Sequence, residues 1–469
     1  MTDLISDRTL AFGLHGLKSA AGLVTRWLPI PQPLLLVGPG SSARLGQAIA
    51  EFGHHKLLIV TDAVLLELGL MAPLTEALTG GGTPFVVFAA VTPDAPVSVL
   101  EQGIAVFDRE QCDGIVAFGG GSVIDSAKAI ALACANARHP RELVGYFKGR
   151  HGPAPIYAVP TTAGTGSEVT VAAVISDPEH GVKLVIADTR LVPDMAALDP
   201  YLMTGLARAI TAATGMDALT HAVEAFIGNW STAYTDRMAL AAVSMIYRYL
   251  PLACSDGANL EAREKMALAA SFAGLAFTRA NVGNVHAIAH QIGARYHTPH
   301  GLANAIVLPG VLRWCAAQIR PRLALLALRS GVGRKGGSQQ LLARQFLDSV
   351  EALNAQLGIP AQLDALRAAD IPELARAACR EADTSYPVPQ RMSRPDCEAL
   401  LRALLPAKAA RRPPARKPAA AKPPVAKPAA GRSGALGSAK PRPGARKPAT
   451  TRASTPATAG RARAAKAAM

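Results

Sequence analysis

Cysteine is scarce: six are scattered along the chain, at Cys112, Cys134, Cys254, Cys315, Cys379 and Cys397, with no CxxC pair. That excludes a disulfide framework and fits a reducing compartment. A secretory signal is also lacking, because Asp3 and Asp7 stand where one would carry positive charge, and no apolar core with a cleavage site follows. No stretch reaches the roughly 18 apolar residues that a membrane span requires. The expectation is a soluble cytoplasmic protein. Acid is missing from one end only. Residues 407–469 hold sixteen Lys and Arg and no Asp or Glu, so the formal +15 of the whole chain leaves about −1 on residues 1–406. Segment 406–469 is rich in Ala, Pro, Lys and Arg, cannot offset its ordering entropy, and is expected to be disordered. Either it is a solubilising arm, or it makes the chain a polyanion- or nucleic-acid-associated protein with salt-dependent binding. Few aromatics interleave its charges, so base stacking is not indicated.

What remains is rich in hydrophobic residues, half of the chain overall, and long enough for two or three domains. Between Pro33 and Pro160, apolar runs alternate with helix-length amphipathic stretches: Leu34–Val37, Leu57–Val60, Phe85–Phe88, Gly114–Phe118 and Ile156–Val159. Runs without polar alternation imply a parallel sheet covered on both faces, hence a doubly wound α/β, Rossmann-like domain over residues 1–205. After about Asp199 the texture becomes Ala- and Leu-rich with helical spacing. Residues 206–405 are therefore expected to form an all-α domain.

FGGGSVIDSAKAIAL follows the Gly114–Phe118 run and opens a helix, the context of a glycine-rich phosphate loop. Gly119, Gly120 and Gly121 let backbone approach a pyrophosphate. Ser122 is the expected N-cap, with Asp125 closing a capping box. The bland alternative is a tight strand-to-helix turn. Asp62, just past Leu57–Val60, suits a ribose diol and disfavours a 2′-phosphate, which points to NAD, or else it merely caps the next helix. PTTAGTGSEVT offers Thr161, Thr162, Thr165 and Thr170 at the mouth of the sheet, or is a loop rich in Ser and Thr turns. The earlier GPGSS, Gly38–Ser42, carries less weight.

On the helical side, residues four apart share a helix face, so Asp217 and His221 can point into one cavity, as can His286 and His290. Asp217, His221 and His286, with His300 in TPHG, supply a carboxylate and three imidazoles, a set suited to ferrous iron or zinc and to Lewis-acid activation of an alcohol or carbonyl. His290 sits beside that set as a fifth candidate, and His297 is a reserve ligand. Taken singly, Asp217 could begin a helix and His300 could start the next one, GLANAIVLP.

These motifs together resemble the iron-dependent alcohol dehydrogenases, the group that includes lactaldehyde reductase and propanediol dehydrogenase. The likeness runs from about Leu34 to about Leu405 through GGGSVIDSAKAIA, PTTAGTGSEVT, GMDALTHAVEAF and VHAIAHQIG with TPHG. The resemblance implies metal ligands Asp217, His221, His286 and His300, with His290 between metal and nicotinamide as the catalytic candidate. It implies cofactor contacts from Asp62, Asp94, Gly120, Gly121, Ser122, Thr161, Thr162, Thr165, Thr170 and Lys183. Two positions depart from the family pattern: Pro93-Asp94-Ala95-Pro96, where Pro-Asn-Pro is common, and Ala172, where a small polar residue or Asn is usual. The expected activity is NAD-dependent hydride transfer between a small alcohol or diol and its aldehyde or ketone, with Fe2+, or Zn2+, as the ion. A homodimer is the expected assembly.

Overall fold

The computed structural model describes residues 28–406 apart from Gly181. The basic segment read above as disordered, 406–469, lies outside the described residues from 407 onward, as do residues 1–27.

In chain order the strands are β1 (Leu34–Val37), β2 (Leu57–Val60), β3 (Phe85–Phe88), β4 (Gly114–Gly119), β5 (Gly145–Tyr146), β6 (Ile156–Pro160), β7 (Ala172–Asp177), β8 (Val182–Ala187) and β9 (Met195–Leu198). Six of them form one sheet in the order β1-β9-β6-β4-β2-β3, with every pairing parallel. All six carboxyl ends therefore lie along one edge. The order reverses between β2 and β4, because β3 lies outside β2 while β4 returns to its other side, and such a switch point opens a ligand crevice. A second sheet, β5-β8-β7, carries an antiparallel β7–β8 hairpin.

Helices α1 (Ser41–Ala50), α2 (Ala63–Glu67), α3 (Ala72–Gly80), α4 (Val97–Arg109) and α5 (Gly121–Asn136) connect the strands. Alternate residues of a strand face opposite ways, and β2 shows the result. Leu57 and Ile59 pack with Leu45, Ile49, Leu74 and Leu78 of α1 and α3, whereas Leu58 and Val60 pack with Leu100, Ile124 and Ile130 of α4 and α5. Each such side chain taken out of water contributes about 1.5–3 kcal/mol, which is why the strands read as uninterrupted apolar runs. The five strands expected from sequence are all present. Four were not foreseen. β9 reads MAAL, without β-branched residues, yet lies buried between β1 and β6, so tertiary pairing overrides weak propensity.

From Arg208 onward the described chain is helical: α6 (Arg208–Ile227), α7 (Ala233–Ser255), α8 (Leu260–Ala280), α9 (Asn284–Tyr296), α10 (His300–Ser330), α11 (Gln339–Leu357), α12 (Ile371–Ser385) and α13 (Arg394–Ala403). They share one large core. α10 extends far beyond the GLANAIVLP helix expected from sequence. It runs on through Pro309 and Pro321. A helix-interior proline costs about 3 kcal/mol, and buried Val311, Leu312, Cys315, Ile319 and Leu323 on the same helix offset it. A correction concerns α7 and α10, which are long and apolar enough to cross a membrane by length and composition. Both pack into the helical core, a setting in which apolar helices also occur.

Candidate active site

At the carboxyl end of β4 the chain turns through Gly120 into α5, and no side chain caps that helix. The expected capping box does not form. Gly120 is the N-cap, Ser122 lies inside the first turn and accepts a hydrogen bond from the Asp94 amide at 3.2 Å, and Asp125 is engaged elsewhere. With no side chain at the helix end, its first amides are available to an anion, with the helix dipole behind them. Gly121 is required here for space. A Cβ on it would lie 2.6 Å from Thr165 Cγ2, so this turn and the threonine loop after β6 are pressed together.

The loop is fastened from below by a buried lysine that the sequence reading passed over. Lys128 Nζ donates to the Ser167, Thr170 and Ala172 carbonyls at 2.6, 2.8 and 3.0 Å. Burial pulls its ammonium down to about 8, against the opposing charges of Asp125 and Glu168. Asp125 accepts from Ser167 Oγ and from the Val174 amide at 3.0 Å. Of the implied cofactor contacts, Thr161 bonds the Gly119 carbonyl through its amide, Thr162 lies near Gly120, and Thr165 covers Gly121. Thr170 is buried with its hydroxyl on Lys128, so it braces the loop. Asp62 accepts from the Leu65 amide at 2.9 Å and does cap α2. Asp94 pairs with Lys183. Asp94 and Ala95, at the departure from the family pattern, have φ values of 71° and 49°, a left-handed stretch that costs strain in non-glycine residues.

The other half of the site is made of side chains. Asp217 and His221 lie one turn apart on α6, His286 lies on α9, and His300 opens α10. Their ligand atoms all fall within 4.8 Å of one another. Glu224, one further turn along α6, accepts from His286 Nδ1 at 2.6 Å and from the Gly283 and Val285 amides at 2.9 and 2.7 Å. Burial pushes Glu224 up to about 7. The bond to Nδ1 leaves His286 Nε2 bare and facing the cluster. Asn304 Nδ2 lies 2.7 Å from Asp217 Oδ1 and 3.1 Å from both His286 Nε2 and His300 Nε2. Phe277 stacks on His221 at 4.3 Å, and His221 on His286 at 4.6 Å.

The donor set fits a divalent ion. Burial holds His286 well below its ordinary value, lowers His221, and brings His300 to about 4, so all three rings are neutral as ligation requires. His221 Nδ1 is buried without a hydrogen-bond partner, and one amide serves three converging acceptors. Gathering acceptors without donors costs free energy that a cation recovers. His290 stands beside the set, its ring stacked on His300 at 5.3 Å. The two halves meet where the threonine loop presses on the helices: a Cβ on Gly164 would lie 2.7 Å from Thr214 Cβ on α6, and Ser271 Oγ of α8 donates to Glu168 Oε1 at 2.6 Å.

A parallel sheet that offers an open helix end to a dinucleotide, joined to a buried carboxylate and three neutral imidazoles, defines a metal-dependent dehydrogenase. The comparisons narrow the class. The pattern of the iron-containing alcohol dehydrogenases matches residues 33–200, and that of the C-terminal region of the Fe-containing alcohol dehydrogenase family matches residues 211–405. The chain belongs to this family. It is 38% identical to a 1,3-propanediol dehydrogenase of Klebsiella pneumoniae over 369 residues, 78% of this chain and 95% of that one. It is 37% identical to an NAD-dependent methanol dehydrogenase of Bacillus methanolicus over 328 residues, 70% of this chain and 86% of that one. The crystal structure of a 1,3-propanediol oxidoreductase matches with a TM-score of 0.77 at 36% identity, covering 81% of this chain and 100% of that chain.

Proposed function

We propose that the chain oxidises a small alcohol or diol, or reduces the matching aldehyde or ketone, with NAD as hydride carrier. The observation that carries the reading is the convergence of Asp217, His221, His286 and His300 on one point beside the threonine loop, whose Gly164 packs on Thr214 of α6. These four would hold Fe2+, with Zn2+ as the competing ion. Bound there, the ion supplies Lewis acidity that lowers the pKa of a substrate hydroxyl.

The rest of the reaction falls to the chain. The open end of α5 at Gly120–Ser122 would hold the pyrophosphate of NAD, Thr161, Thr162 and Thr165 would line its approach, and Asp62 at the end of β2 would hold the adenosine ribose. The Asp94–Lys183 pair lies over the same helix end, since Ser122 holds the Asp94 amide. NAD bound there would supply the hydride acceptor, and His290, stacked on His300, would take up the proton of the substrate hydroxyl. A domain boundary near residue 205 fits this division of labour, and the sheet's last strand ends at Leu198 while α6 begins at Arg208. A homodimer would cover the outer edge of β1, where Leu34 is exposed. Association with nucleic acid through residues 407–469 has only the charge count behind it, and the family match ends at residue 405.

His286→Ala tests the metal reading. It is expected to abolish bound metal, read by elemental analysis of anaerobically purified protein, together with NAD-linked oxidation of short alcohols. Full turnover in a metal-free variant would overturn the mechanism.

A further inference from the structure

We propose that Glu381 is a positioning residue that fixes the tautomer and the aim of His290. The inference rests on the dehydrogenase reading above. Glu381 belongs to α12 and His290 to α9, and sequence spacing gives no hint that they meet. The carboxylate accepts three hydrogen bonds, each of 2.6 Å: His290 Nδ1 and the Tyr386 hydroxyl on Oε1, and Gln291 Nε2 on Oε2. Burial and the charge of Glu381 hold the Tyr386 hydroxyl well above its ordinary range, so it stays a donor. Gln291 Nε2 is a donor by nature. An acceptor so surrounded also calls for a donor at His290 Nδ1.

The consequence is local and specific. With its proton on Nδ1, His290 keeps Nε2 bare, across the ring from Glu381, as the only ring atom able to accept from a substrate hydroxyl. The ring cannot turn without breaking a short charge-assisted bond. It is held stacked on His300 at an interplanar angle of 20°, and edge-on to His286 at 5.9 Å. Without Glu381 the imidazole has two tautomers and two orientations to choose from, and only one presents an acceptor to the alcohol. A glutamine at the same place offers an amide N–H to Nδ1 and favours the wrong tautomer, the loss seen when a triad aspartate becomes asparagine.

The test uses the full-length, metal-loaded protein with Glu381→Gln, Glu381→Asp, His290→Ala and the Glu381→Gln/His290→Ala pair. Glu381→Gln is expected to keep its metal content, NADH affinity and KM for the alcohol within about twofold, while kcat falls roughly 10²-fold or more. Glu381→Asp regains part of that loss. In the double variant Glu381→Gln adds nothing to His290→Ala, because both act through one ring. The proposal is overturned if kcat of Glu381→Gln stays near wild type, if metal and melting temperature fall along with kcat, or if the two losses add in full. Should Glu381→Gln not fold, Glu381→Asp and its pair with His290→Ala decide, and losses in kcat that add in full overturn the proposal. Failure of the dehydrogenase reading would look different: wild-type protein itself would oxidise no alcohol with NAD.

Discussion

At the carboxyl edge of the sheet, the groups offered to a ligand are largely backbone: the first amides of α5, with glycines that let a phosphate and the threonine loop come close. Among the helices they are side chains, and all but His221 are hydrogen-bonded to another: Glu224 behind His286, Asn304 against Asp217 and His300, Glu381 behind His290. A backbone site is set by space and by what is left uncapped, so it should tolerate polar substitutions and fail on added volume. A side-chain site is set by which atom of each ring is bare, so it should fail on isosteric changes that move a proton. The largest effect short of deleting a ligand tests this. Glu224→Gln, nearly identical in volume, is expected to weaken metal binding roughly 10–100-fold in a chelator competition, with NADH affinity unchanged. Unchanged metal affinity would remove the distinction.

The nucleotide side is sharpened by two neighbouring glycines. In Gly121→Ala the new methyl meets Thr165 Cγ2 at 2.6 Å, so the loop must move, and unfolding measurements should show about 1–3 kcal/mol lost together with NADH affinity. In Gly120→Ala the nearest atom is Thr162 Oγ1 at 3.5 Å, an ordinary contact. That variant should melt close to wild type and lose NADH affinity alone, since only the cofactor would feel the methyl group. Equal loss of stability in both would mean that the turn serves the fold and has no part in anion binding.

The metal candidates were legible because helical periodicity turns spacing into geometry: Asp217 and His221 lie four apart and point the same way. The same rule reaches Glu224, seven residues past Asp217, and Asn304, four past His300, and both carry signals that were there to be read. Glu381 carried none, because its pairing with His290 depends on how α12 packs against α9. The five foreseen strands were legible as buried apolar runs. β9 was not, because MAAL has no strand signature outside its place between two neighbours. The capping box failed for a physical reason: the helix starts two residues earlier than the Ser122 cap requires, with Gly120 as its N-cap, and that shift leaves the helix end open. Asp62 was left with two readings, and its bond to the Leu65 amide establishes the capping one without removing the other. Asp62→Asn separates them, since Asn caps as well as Asp. Stability should hold, while preference shifts toward NADP by roughly tenfold, about 1.4 kcal/mol, as charge repulsion with a 2′-phosphate disappears. No shift would leave Asp62 as a cap only.

The smallest effect concerns the hairpin that delivers Lys183 to Asp94. Asp177, buried at the end of β7, takes hydrogen bonds from Arg141 at 2.8 and 3.0 Å and from His180 at 2.9 Å. The Arg141 guanidinium, then His180, hold its carboxyl down at about 2. A folded value below the ordinary 3.8 means that the unfolded chain binds the proton first. The contribution is therefore complete above about pH 4 and is lost as the pH falls through the window from 4 to 2. In that window the β7–β8 hairpin should loosen, read as faster amide exchange over residues 172–187. In Asp177→Asn it should be loose at neutral pH and show no further change across the same range. Because Lys183 rides on β8, the variant should lose some NADH affinity at neutral pH and keep its metal, which separates the two sides of the site. An exchange profile that falls with the same slope in both proteins would show that another group governs the acid response.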